Sequence, residues 1–258
     1  MNTLEESIAI AMDSQDTAIV PYLPYILQDW WELGTTSEIV IDFIQKHCKN
    51  YSNLNVLDLG CGKGATSVKV AAALKCNCYG IDGMPEFIEV AKEKAKEYDV
   101  ATLCRFEVGD VRKKIEELNK FDVIILFAVG PVFGDYYATL TTLSKHLTEE
   151  GIIIIDDAYV DDSSTFQHPL VSILSRQELL KQVEQAGMKL IDETAGKHSE
   201  FIDSAKEMES IIIRCNELKT KYPEKSYLFE NYMQNQINEY DVLDNKVICS
   251  VMVMKKFE

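Results

Sequence analysis

The run Asp58-Leu59-Gly60-Cys61-Gly62-Lys63-Gly64 places a carboxylate two residues before three alternating glycines, directly after the apolar stretch Asn55 to Leu59. Glycine lacks a Cβ, so a turn built from it can be tight and can let a ligand approach the backbone. A helix starting at Ala65 aims its free amides at the same place, which makes the chemistry on offer the capture of a small molecule. Two further acids follow at related positions. Asp82, with Gly83 and Met84 behind it, ends the next apolar run 20 residues beyond Gly62, and Asp110 with Val111 follows the third. An acid at the first position can accept hydrogen bonds from two ribose hydroxyls. At the second, the carboxylate can accept from an adenine amino group while the next amide donates to the ring.

A glycine-rich turn of this spacing also marks nicotinamide-dinucleotide enzymes, and Ala65 completes a GxGxx(G/A) pattern. Asp82 fits both classes. Asp58 separates them, because a carboxylate there repels a pyrophosphate and welcomes a cationic amino-acid moiety. The segments D-L-G-C-G-K-G (58–64), G-I-D-G-M (80–84), V-G-D-V (108–111) and F-D-V-I-I-L-F-A-V-G (121–130) together resemble class I S-adenosylmethionine-dependent methyltransferases. The resemblance is close from roughly residue 53 to residue 160 and architectural beyond. It implies an α/β fold with a seven-stranded, mostly parallel Rossmann-like sheet, helices on both faces and an antiparallel last strand. It further implies that Asp58, Gly60 and Gly62, with Cys61 between them, surround the methionine part of S-adenosylmethionine. Asp82 with Gly83 would then face the ribose, Met84 one face of the adenine, Asp110 with Val111 its edge, and Phe127 the floor beside the sulfonium.

The elements that must position these residues are legible as short β-branched runs alternating with amphipathic stretches, the pattern of a parallel sheet with crossover helices. Strands are expected at 55–59, 78–81, 103–108, 121–127, 152–156, 188–193 and 247–254. Between the first five, helices are expected at 65–74, 85–98, near 112–119 and at 136–147. Within the second of these, Phe87, Ile88, Ala91 and Ala95 recur at helical spacing, while Glu89, Lys92, Glu93, Lys96 and Glu97 take the other face. Ser175 three residues before Glu178 is a capping-box spacing that opens a helix running to Ala186, with Gly187 as its stop. Residues 1–50 read as a helical and aromatic cover, with helices around Ile8 to Met12 and Ser37 to His47. Residues 51–197 and 242–258 read as the cofactor-binding core, and 198–241 as a helical lid inserted between two late strands.

Methyl transfer from a sulfonium is an in-line displacement, in which the protein positions the nucleophile, excludes water and, for some acceptors, supplies a base. No fixed triad is required, and the catalytic candidates are few. Tyr22, Tyr25, Trp30 and Trp31 form an aromatic segment able to cover a sulfonium by cation–π contact. Asp157, in the acidic run 156–162 after the fifth strand, and His168 are candidate bases. A metal-assisted transferase also needs an aspartate just after the fourth strand, where this chain has Phe127-Ala128-Val129, so no metal site is expected.

Composition narrows the acceptor. With 26 basic and 42 acidic residues the net charge is −16, a field that repels a phosphate backbone, so nucleic acid is an unlikely partner and a small molecule the expected one. No apolar run reaches the ~20 residues of a membrane span. The acidic start MNTLEESIAIAMDSQD lacks the marks of a signal peptide, and seven cysteines without CxxC spacing fit a reducing cytoplasm. The expected function is S-adenosylmethionine-dependent methyl transfer to a small molecule. The alternatives are an NAD-dependent oxidoreductase and a non-catalytic sensor of the same cofactor.

Overall fold

The computed structural model describes residues 2–34, 36–168 and 171–257. Seven strands form one sheet: β1 (Asn55–Leu59), β2 (Asn77–Asp82), β3 (Cys104–Val108), β4 (Phe121–Phe127), β5 (Leu147–Tyr159), β6 (Met188–Gly196) and β7 (Ile248–Lys256). Their order is β3-β2-β1-β4-β5-β7-β6. The five strands from β3 to β5 pair in parallel, and β7 runs antiparallel to both of its neighbours. The order reverses between β1 and β4, so the crevice at the carboxyl ends of the strands opens there.

The helices are α1 (Leu4–Ala11), α2 (Leu23–Ile26), α3 (Ser37–His47), α4 (Ala65–Leu74), α5 (Pro85–Glu97), α6 (Val111–Lys114) and α7 (Tyr136–Leu143) in the first part of the chain. After them come α8 (Arg176–Gln185), α9 (His198–Phe201), α10 (Ser204–Lys221) and α11 (Ser226–Asn245). Alternate residues of β1, β4 and β5 serve opposite faces of the sheet, as a two-residue side-chain period requires. Val56, Val123, Ile125, Ile152 and Ile154 meet α3, α4 and α5 on one face. Leu57, Leu59, Ile124, Ile153 and Ile155 meet α7 and α8 on the other. The interior of β4 is buried on both sides, which is why it reads as an unbroken apolar run.

A third core lies outside the sheet. Ile19, Leu23, Ile26 and Leu27 from the N-terminal segment pack against Ile211, Cys215, Leu218, Leu228 and Phe229 of α10 and α11, and Met84, which precedes α5, and Phe87 within it join them. The cover and the lid are therefore a single helical cap, built from two regions far apart in sequence. Arg214 of α10 clamps the N-terminal segment to the lid through Asp29, with Nε to Oδ2 at 2.7 Å and Nη2 to Oδ1 at 2.8 Å. The helix α3 does not belong to this cap, since Val40, Phe43 and Ile44 pack on the sheet.

The sheet differs from expectation at β5, which continues to Tyr159 instead of stopping at residue 156. The cause is non-local: β7 pairs with it from Ile152↔Lys255 to Tyr159↔Ile248 and so keeps Asp156 and Asp157 in the strand. Among the described residues, no helix is long and apolar enough to cross a membrane.

Candidate functional site

At the switch point the chain leaves β1 through Gly60, Gly62 and Gly64, whose φ angles of +76°, +52° and +72° all lie in the left-handed region. Gly60 has no room for a side chain, because a Cβ there would stand 2.0 Å from Val129 Cγ1. At Gly62 the nearest atom would be Leu33 Cδ1 at 3.7 Å, so the space beside that residue is open for a ligand.

Asp82 fastens this loop. Its two carboxylate oxygens accept one backbone amide each, from Gly62 to Oδ2 at 2.8 Å and from Met84 to Oδ1 at 2.8 Å. Each oxygen keeps a second lone pair for a ligand. Asp58 is 2% exposed and accepts from Ser67 Oγ at 2.6 Å. Burial pushes its carboxyl up to about 6, with the Ser67 bond opposing the rise and the Asp82 charge adding to it. A cationic ligand group beside these two acids would relieve that cost.

Asp110 caps α6 and is itself engaged: Arg112 donates from Nε to Oδ1 and from Nη2 to Oδ2, both at 2.8 Å. The pair holds Asp110 below the usual carboxylate range. The Arg112 Nη1 also donates to the Asn2 carbonyl at 2.9 Å, which ties the start of the chain to this loop. A ligand amino group meeting Asp110 would share oxygens that already accept from a guanidinium.

The structure brings all ten cofactor candidates, Asp58, Gly60, Cys61, Gly62, Asp82, Gly83, Met84, Asp110, Val111 and Phe127, to the wall of one cavity of about 240 Å³. The catalytic candidates fare differently. Tyr22 packs edge-on against Tyr222 and Phe229, and Tyr25 is 41% exposed with its hydroxyl on Glu217 at 2.7 Å; neither lines the cavity. Asp157 accepts from the Tyr136 hydroxyl at 3.0 Å and is also outside it, because the β5 extension keeps it in the sheet. His168 is buried and hydrogen-bonded through Nε2 to Glu239 Oε2 at 2.7 Å. It lies behind the wall that Glu239 forms.

Of the aromatic segment, Trp31 reaches the cavity, and its indole donates to the Lys63 carbonyl at 2.9 Å. Lys63 in turn is buried and sends Nζ to the carbonyls of Leu27 and Trp30, which latches the cap to the glycine loop. Sequence reasoning passed over Lys63 because a lysine in a glycine-rich turn reads as solvated. It also missed the lid's polar wall, made of Glu207 from α10 and Tyr232, Gln236, Glu239 and Tyr240 from α11, with Asp13 after α1. Residues 232, 236, 239 and 240 share one helix face, and that spacing was the available signal.

The methyltransferase-domain family matches residues 50–211, more than half of the chain. A ubiquinone biosynthesis O-methyltransferase of Rickettsia akari is 30% identical over 159 residues, 56% of this chain and 61% of that protein. The chain thus spans less than two thirds of that relative's length. One of the same name from Actinobacillus pleuropneumoniae is 23% identical over 240 residues, 88% of this chain and 92% of that one. Among solved structures, an S-adenosylmethionine-dependent methyltransferase from Geobacter sulfurreducens in complex with S-adenosyl-L-homocysteine shares the fold. Its TM-score is 0.77 at 17% identity, covering 92% of this chain and 98% of that one.

Proposed function

Because the chain belongs to the methyltransferase-domain family, we propose that it transfers a methyl group from S-adenosylmethionine to a small-molecule acceptor. The observation that carries this reading is the convergence of Asp58, Asp82 and the left-handed glycines on one cavity at the switch point. The donor set fits the cofactor: a buried acid without a cationic partner among the described residues for the methionine ammonium, and an acid with spare lone pairs on both oxygens for the ribose diol. When bound, the cofactor supplies an electrophilic methyl carbon on a positively charged sulfur. Phe127 and Met84 wall the cavity with apolar surface, and the cap forms its opposite side.

The acceptor is read as small because the cap roofs the cleft, and as other than nucleic acid because the chain carries a net charge of −16. Seven free thiols support a reducing compartment, the cytoplasm. The oxidoreductase alternative is disfavoured by Asp58, whose buried carboxylate would face a pyrophosphate.

Calorimetric titration of S-adenosylhomocysteine tests the reading. Tight binding to the wild type, weakened by ~1–3 kcal/mol in Asp82→Ala through loss of charge-assisted hydrogen bonds, is the expected result. Binding of NADH in its place would overturn it.

A further inference from the structure

The cap half of the cavity is rich in carboxylates and short of cations. Asp13, Glu207 and Glu239 all line it. The basic side chains on the same cavity are committed elsewhere, Lys63 to backbone carbonyls and Arg112 to Asp110. His198, the remaining basic group on the wall, has its pKa lowered chiefly by burial. Burial, reinforced by the negative charge of Glu239, pushes Asp13 up to about 7 although Gln236 donates to its Oδ2 at 3.0 Å. Glu207 is raised by burial too, against the bond that it accepts from the Tyr240 hydroxyl. Asp13 and Glu207, two acids kept out of water at such a cost, are what a bound cation would stabilise, and Glu239 beside them, held through Oε2 by His168 at 2.7 Å, adds a third carboxylate.

A second observation is independent of the acids. Tyr232 is 2% exposed and lines the same cavity, and its hydroxyl has no hydrogen-bond partner among the described residues. The carboxylates of Asp13 and Glu207 both act on that hydroxyl. Buried tyrosine hydroxyls are ordinarily satisfied, so this oxygen is aimed at something the cavity receives. The backbone agrees: Asp13 holds φ at +58°, a conformation for which a helix end would normally use glycine or asparagine.

We propose that the acceptor is a small molecule bearing a protonatable amine, whose ammonium is held by Asp13, Glu207 and Glu239 with the Tyr232 hydroxyl as a fourth oxygen. Ile211 and Leu243 on the same wall offer apolar surface to the rest of the molecule. The inference rests on the methyltransferase reading of the cleft. Transfer to such an acceptor balances simply. One proton passes from the ammonium to a carboxylate, for which Asp13 is placed; the freed lone pair forms the C–N bond as the C–S bond breaks, and that electron pair stays on sulfur.

The test is binding, not turnover. Phenethylamine, histamine and cadaverine are titrated calorimetrically, each beside the isosteric alcohol or apolar analogue, with and without saturating S-adenosylhomocysteine. At least one amine is expected to bind tenfold or more tightly than its neutral isostere. Asp13→Asn, which tolerates the same backbone conformation, and Glu207→Gln should each remove most of that preference, while Tyr232→Phe reduces it. Affinity of the variants for S-adenosylhomocysteine within twofold of wild type shows that they are folded. Equal or tighter binding of the neutral isosteres, a preference that survives both carboxylate substitutions, or no amine binding overturns the proposal. An amine preference in a protein that does not bind S-adenosylhomocysteine would instead overturn the cofactor reading and leave the amine site standing.

Discussion

The Asp13 carboxylate illustrates how a single side chain can weaken a fold for the sake of a cavity. Its folded pKa of about 7 lies above the ordinary value of 3.8, so between those limits the folded state binds more protons than the unfolded state. Stability therefore falls as pH rises from about 4 to 7, and above 7 the loss is complete. Asp13→Asn removes the ionisable group. Its melting temperature relative to wild type should climb across that window, and thermal unfolding followed by circular dichroism at pH 4, 5.5, 7 and 8 checks the slope. A second residue-scale expectation concerns Gly64. A Cβ there would lie 2.6 Å from Ala91 Cβ and 2.9 Å from Phe106 Cζ, at a φ of +72°. Overpacking and the left-handed backbone together put Gly64→Ala at a cost of ~2–5 kcal/mol, measurable by urea unfolding. At this scale the grouping of ten residues that line one cavity was legible because they are punctuated by glycine and follow strands. Asp13, Glu207 and Tyr232 were not, since their meaning depends on a cap whose halves meet only in three dimensions.

Among the elements, those specified by local signals match the sequence reading closely. Pro85 begins α5, and Ser175 with Glu178 forms the complete capping box that starts α8. Ser175→Ala should destabilise the protein by ~1 kcal/mol through loss of that cap, visible as a lowered urea midpoint with unchanged m-value. The N-terminal segment shows where local reading ran out. Its aromatic residues were legible as a group, but which of them face the cleft is decided by α10 and α11, which take Tyr22 and Tyr25 and leave Trp31 to the glycine loop. The extra length of β5 was hidden for the same reason, as its partner β7 lies about ninety residues further along the chain.

At the scale of the whole molecule, the cavity lies between the sheet and a cap that touches the glycine loop and the loop after β3 through Lys63, Trp31 and Arg112. A ligand that binds only this assembled state stabilises the fold by mass action. S-adenosylhomocysteine at a hundredfold its Kd should add ~2.7 kcal/mol to unfolding and slow chymotryptic cleavage within residues 2–34, which hold Tyr22, Tyr25, Trp30 and Trp31. Fluorescence-monitored denaturation and mass spectrometry of the digests read the two effects, and cleavage at an unchanged rate would detach the cap from the cofactor site.

The joining of the two halves of the cap also sets an order of assembly. The Asn235 side chain grasps the Asp13 carbonyl across 222 positions of chain. During synthesis the first helix therefore emerges long before the surface it will rest on exists. Closure of the roof must be among the last events of folding, after α11 has been made, and until then the nascent chain displays Ile19, Leu23 and Ile26 to whatever chaperone is at hand.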